Sequence, residues 1–352
     1  MSEHAERQIS ENYEPILNAV SKRAETKEAL EKAATSEIGS EILDMESSIL
    51  EVSPEDNPDT FLAKHNELLD TYKADLEERL PDVTDDVVER AASHLSKGDN
   101  QIKRQLITMF QSRLAATRGV DVDDPLVNPS KELGDFREVS RRVVVNGRTM
   151  MRLHGQSQER IQDVLDKQLL PHEILHAVST AQIETGAIQN EYATLPLPVR
   201  SGLALRLNPG EGPMENASEA VQMGQWVNEA FMEDFRSKIM ETEEVGYKPN
   251  LMVLKLAQEF DPGLEQSMEA AVFQGDAPGI VVGRLEETFG PLGVEGIQEI
   301  INQYTHKPPE DRTDEEYVTF RRSIVALVES NRQEEASAML DQLNKEITSI
   351  AI

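Results

Sequence analysis

The sequence predicts an α+β chain that is predominantly helical, and three observations carry that expectation. Apolar residues recur at near-helical intervals over most of its 352 residues. β-Branched residues gather in one short stretch, 136–154, on either side of Asn146-Gly147. Prolines punctuate the helical segments, as at Pro54, Pro58, Pro262 and Pro278.

Residues 1–118 read as an acidic helical region. Ile16, Leu17 and Val20, then Ile42, Leu43, Ile49 and Leu50, then Leu62, Leu68, Leu69, Leu76 and Leu80 mark its apolar faces. Their spacing is too irregular for a heptad coil. It suits an antiparallel hairpin or bundle broken at Pro54, Pro58 and Pro81, followed by a helix over about 85–117. Residues 121–129 hold two prolines and three aspartates, the composition of a linker.

A second region, 119–250, changes character. Asn-Gly between extended segments is a strong hairpin signal, so strands are expected over 137–145 and 148–153. A helix over 157–167 follows, and Pro171 suits the first turn of the next one, where its missing N–H costs nothing. A long connection, 185–217, is rich in Pro, Gly and Asn and holds one expected strand at 202–207. Helical pattern returns from Ala220. It continues through a helical C-terminal region, 251–352, with breaks at Pro249, Pro262, Pro278, Pro291 and Pro308-Pro309.

Charge and cysteine content narrow the functions open to such a chain. Its 35 Lys+Arg against 65 Asp+Glu give a formal charge of −30, which opposes binding to nucleic-acid phosphates or an anionic membrane and favours a basic protein partner. Without cysteine there are no disulfides, thiolate zinc ribbons or cysteine nucleophiles, so any metal must be held by His, Asp or Glu. Residues 1–10 are polar, and no segment approaches the ~18 apolar residues of a membrane span. A cytoplasmic protein is therefore expected; oligomeric state leaves no mark in the sequence.

Chemistry concentrates in His172-Glu173-Ile174-Leu175-His176. Residues four apart share a helix face, so both imidazoles can be directed at one ion, with Glu173 beside it to take a proton from an attacking water. Leu169, Leu170, Ile174, Leu175, Ala177 and Val178 give this helix an apolar setting. A catalytic zinc takes three protein ligands. Ser179 and Gln182 stand where a third histidine motif would need Gly and His, so the remaining ligand is expected to be a downstream carboxylate. Glu184, Glu191, Glu211, Glu215, Glu219, Glu229, Glu233 and Asp234 are the candidates. Glu229 stands out among Trp226, Val227, Ala230 and Phe231, where burying an acid is costly unless a cation meets it. Glu233 shares its face one turn on.

His172-Glu173-Ile174-Leu175-His176 followed by Asn228-Glu229-Ala230-Phe231-Met232-Glu233 resembles the motif pair of the gluzincin metallopeptidases, the thermolysin-like zinc enzymes. The resemblance spans about a third of the chain. It implies a zincin-like core with a small β-sheet and two metal-bearing helices, zinc ligands His172, His176 and Glu229, and Glu173 as general base. It also implies Glu233 as the carboxylate supporting a ligand histidine, where thermolysin carries the shorter Asp, and a Tyr or His that stabilises the oxyanion. Tyr247 is the first candidate for that donor, ahead of Tyr192 and His306.

The expected function is zinc-dependent hydrolysis of a peptide or protein substrate. The alternative is a noncatalytic acidic helical interaction protein with a structural or degenerate metal site. Charge alone supports a third reading, nucleic-acid mimicry.

Overall fold

A computed structural model describes residues 36–127, 133–137, 141–179, 181–183, 189–190, 193–194, 198–207, 222–223, 225–243, 248–275, 278–290, 293–305 and 313–331. The chain is predominantly helical with small sheets, an α+β protein. Its elements run α1 (Glu37–Leu50), α2 (Pro58–Ser96), α3 (Asn100–Leu114), β1 (Val120–Asp123), β2 (Gly134–Arg137), β3 (Arg142–Asn146), α4 (Gly147–Leu153) and α5 (Gln158–Val164). A π-helical turn, Leu165–Leu169, leads into α6 (Leu170–Val178). Strands β4 (Ala181–Ile183), β5 (Gln189–Asn190), β6 (Ala193–Thr194), β7 (Pro198–Ser201), β8 (Ala204–Leu207) and β9 (Gln222–Met223) follow. The last stretch is helical: α7 (Gln225–Met240), α8 (Lys248–Phe260), α9 (Leu264–Glu269), a second π turn at Ala270–Gln274, α10 (Pro278–Phe289), α11 (Gly293–Thr305) and α12 (Asp314–Asn331). No helix among the described residues is long and apolar enough to cross a membrane. Two compact units make up the chain, Met1–Asp86 with Ala115–Ile174 and Val87–Leu114 with Leu175–Ile352.

The first unit holds α1, most of α2, and a three-stranded sheet of order β1-β3-β2. β1 runs parallel to β3, and β2 antiparallel to it. Asn57 caps α2 by accepting from Thr60 N at 3.1 Å, and Pro58 takes the first helical position. Against expectation, α2 does not break at Pro81. That proline lies on the exposed face, where the carbonyl it leaves unpaired can meet water. The helix ends instead at Lys97 and Gly98, both at positive φ, and Asp99 Oδ1 starts α3 by accepting from Gln101 N and Ile102 N. The helix expected over 85–117 is thus two helices.

Two further expectations are corrected in this unit. The supposed linker at 121–129 begins as strand β1 over its first three residues, where acidic side chains meet cations. Asp121 pairs with Lys73 at 3.2 Å and Arg142 at 2.9 Å, and Asp123 with Arg137 at 2.5 Å. The expected 148–153 strand is helix α4. Asn146 ends β3 in an extended conformation and its side chain accepts from Arg148 N at 2.9 Å, so the residue read as a hairpin turn is an N-cap. Arg148 and Arg152 then reach Glu41 and tie α4 to α1.

In the second unit, strands β4-β7-β8-β9 form an antiparallel sheet, and β5 pairs with β6. The strand expected at 202–207 is β8, with Gly202 in the turn before it at φ +57. Helices α7 to α12 pack around Phe231, Phe235, Phe273, Leu254, Leu285, Ile297 and Phe320, all buried. Pro249 and Pro278 lie in the first turns of α8 and α10, and Pro262 in the α8–α9 turn, as the proline spacing anticipates.

At the heart of the first unit His65 is fully buried between two carboxylates. Its Nδ1 bonds Glu46 of α1, and its Nε2 faces Asp124 Oδ2 at 3.2 Å as a charge contact. Burial opposes the imidazolium, but Asp124 and Glu46 outweigh it and push the His65 pKa up to about 9. Burial also raises Glu46, against the pull of His65, whereas for Asp124 the burial effect is overcome by His65 and the carboxyl is lowered. Burial, then Glu46, raises nearby Tyr72. A folded-state pKa above the unfolded ~6.5 contributes stability fully present below that value and lost as pH rises through about 9. Guanidinium unfolding compared at pH 6.5 and 9.5 should therefore show wild type losing up to about 3 kcal/mol. His65→Gln should start less stable and show little of that slope; an equal slope in both would remove His65 as its source.

Candidate metal centre

Residues 158–178 run as one helical stretch in which the π turn separates α5 from α6. Ser157 caps its start by accepting from Arg160 N at 3.2 Å. The π turn has a local cause. Pro171 cannot donate an N–H and its ring crowds the carbonyl of residue 167. Widening the preceding turn, so that Leu170 N–H bonds Leu165 O, accommodates the proline without ending the helix. Pro171 thus lies inside a continuous helical stretch, just after the π turn, and not at the free helix start expected from the sequence, where its missing N–H would cost nothing.

Leu170, Ile174, Leu175, Ala177 and Val178 bury α6 against its surroundings, and His172, Glu173 and His176 are buried with them. The C-terminal end is held by side chains. Ser179 Oγ donates to His176 O at 2.7 Å, and Arg113 of α3 donates to Val178 O at 2.6 Å and to Phe273 O at 2.9 Å. A cation on the last carbonyls also suits the negative end of the helix dipole.

Helix α7 is buried on nearly every side, from Trp226 to Ser237. Its first turn is fixed by three polar contacts. Trp226 N donates to Gln298 Oε1 at 3.1 Å, Asn250 Nδ2 donates to Trp226 O at 3.4 Å, and Asn228 Oδ1 accepts from Leu203 N at 3.0 Å. The last contact docks the β7–β8 turn on the residue beside Glu229. It also demands glycine at 202, where a Cβ would meet Asn228 Oδ1 at 2.5 Å.

Within the second unit, His176 Nε2 lies 3.3 Å from Glu229 Oε2. His172 sits one turn back on the same continuous helix, and one ligand atom each from His172, His176 and Glu229 all lie within 4.8 Å of one another. Two imidazoles and one carboxylate, buried and convergent, fit the donor set of a catalytic zinc. Of the carboxylates weighed from sequence, Glu229 is the one brought to the histidine pair among the described residues. Asp234 instead pairs with Lys238 at 2.7 Å. Glu184, Glu191, Glu211, Glu215 and Glu219 lie outside the described residues, as do Tyr247, Tyr192 and His306.

Glu173 points from α6 toward β2 of the first unit. A Cβ added at Gly134 would meet Val144 O at 2.9 Å, so the strand needs glycine there, and it would come within ordinary contact of Glu173 Oε1 at 3.5 Å. Both oxygens of Glu233 are taken by Arg236, with Nε to Oε2 and Nη2 to Oε1 each at 2.9 Å. Arg236, fully buried, further donates to Thr242 Oγ1 at 2.6 Å and Glu243 O at 2.8 Å, pinning the chain that leaves α7. Sequence reasoning named Asn228 within the motif but gave it no role of its own, and it missed Arg113 and Arg236. Only Arg236 left a readable signal, its i+3 spacing from Glu233.

Arg236→Met strands a buried carboxylate and should destabilise the protein by about 3–5 kcal/mol in denaturant unfolding. Adding Glu233→Gln should recover part of the loss, and a double variant no better than the single one would argue that Arg236 acts without Glu233. No protein-family model, curated protein or solved structure matches the chain.

Proposed function

We propose that the chain is a zinc-dependent hydrolase of the gluzincin type, acting on peptide bonds through a zincin-like centre carried by α6 and α7. The observation that supports this most is the convergence of His172, His176 and Glu229 within 4.8 Å in a buried setting, with Glu173 between the two histidines. A zinc ion bound there would polarise the scissile carbonyl and make water acidic enough to lose a proton near neutral pH.

The protein's own groups have distinct tasks. His172 and His176 serve as neutral donors, and Glu229 contributes one negative charge to offset the cation. Glu173 takes the proton of the attacking water and returns it to the leaving amine nitrogen, so that one water is consumed for each bond cleaved. Burial favours this chemistry, since a carboxylate and a cation attract more strongly where water is excluded. Arg236 keeps Glu233 oriented on the ligand-bearing helix. Tyr247 is the proposed donor to the oxyanion.

Zinc measured per chain, after loosely held metal is removed, tests the reading. Wild type should retain about one zinc, and His176→Ala and Glu229→Ala should lose most of it. Glu173→Gln should retain the metal while peptide cleavage, assayed on a peptide library, falls by about 10²–10⁴. Wild type that holds no zinc after reconstitution would overturn the proposal. Tight zinc without cleavage of any peptide would favour a noncatalytic acidic interaction protein.

A further inference from the structure

A second convergence of metal-ligating groups lies wholly in the second unit. His94 is on the last turns of α2, and Glu265 and Glu269 sit four apart on α9, hence on one face. One ligand atom from each of the three lies within 4.8 Å of the others. His94 Nε2 is 3.3 Å from Glu269 Oε1, and its ring stands edge-on to Phe235 with centroids 5.2 Å apart, which fixes the direction of that nitrogen. Glu269 is buried, its side chain 7% exposed, whereas His94 and Glu265 keep 35% and 39%. The group therefore has a buried floor and an open side.

Ammonium groups now occupy the positions a cation would take. Lys238 Nζ lies 2.6 Å from Glu265 Oε1 and 2.7 Å from Asp234 Oδ2, and Lys97 Nζ lies 3.9 Å from Glu269 Oε2. Both are point charges on flexible stems, and Lys97 is 64% exposed, so it can swing into water when a competitor arrives. The backbone adds an independent sign. Glu269 is the last residue before the π turn Ala270–Gln274, and the π turn at Leu165–Leu169 leads directly into the histidine pair of α6. Such turns gather at functional sites.

We propose that His94, Glu265 and Glu269 form a second divalent-metal site, separate from the α6–α7 centre, that takes zinc or a neighbouring first-row ion and staples the end of α2 to α9. One imidazole and two carboxylates suit zinc, cobalt or manganese rather than a soft monovalent ion. Three protein ligands leave room for solvent on the open side. Because lysine competes for the same oxygens, the site fills only as free metal rises, so it is weaker than the buried centre.

Equilibrium dialysis of the full-length protein against buffered Zn²⁺ tests this in a His176→Ala background. That background removes the α6–α7 centre from the isotherm, so failure of the catalytic reading leaves this test intact. His176→Ala protein should still bind about one zinc. Adding Glu265→Gln or His94→Gln should weaken that binding at least about tenfold. Adding Lys97→Gln should tighten it, a gain that loss of folding cannot mimic. Circular dichroism checks that each variant is folded, and Glu265→Gln, on the exposed side, is the variant least able to unfold the unit. An isotherm unchanged by both Glu265→Gln and Lys97→Gln would overturn the proposal, as would His176→Ala protein that binds no zinc at all.

Discussion

Burying a carboxylate without a cation costs several kcal/mol, and a chain with 30 surplus negative charges meets that constraint wherever it builds a core. Four of the buried acids among the described residues are answered by named groups. Glu46 meets His65, Glu233 meets Arg236, Asp234 meets Lys238, and Glu269 meets His94 with Lys97. The Glu46–His65 and Glu269–His94 pairs join different helices and so help select which of them pack together, whereas Glu233–Arg236 and Asp234–Lys238 neutralise charge within α7. Glu229 differs in the nature of what faces it. Its neighbour is His176, whose imidazole is a cation only when protonated and a metal ligand when it is not.

The same constraint explains which features were legible in the sequence. Glu229 could be singled out because Trp226, Val227, Ala230 and Phe231 announce a buried helix, and an acid in that context needs a reason. The histidine pair was legible because four-residue spacing is a local property of a helix. His65 and His94 were not legible. Each is one histidine in an acidic helix, and its meaning comes from carboxylates 59 and 175 residues away in sequence for Asp124 and Glu269.

Misreadings arose where one residue type serves two local structures. Asn146 before Gly147 fits a hairpin turn, but an Asn side chain satisfies the first free N–H groups of a helix equally well. β3 already had neighbours on both sides in β1 and β2, so the chain had no use for a hairpin partner there. Asp121 and Asp123 look like linker residues until Lys73, Arg142 and Arg137 are seen beside them. Pro81 shows the converse, a breaker that tertiary context and an exposed face tolerate. The π turn before α6 was also hidden, although Pro171 is its visible cause.

The two compact units are not consecutive in the chain. The second takes Val87–Leu114 from within the span of the first and is otherwise made of residues after Ile174. During synthesis from the N-terminus, the first unit has all its residues once Ile174 has emerged, whereas α3 must wait for partners such as Phe273 to be made. Leu106 and Phe110, buried in the finished protein, belong to an early segment that stays uncovered for much of translation.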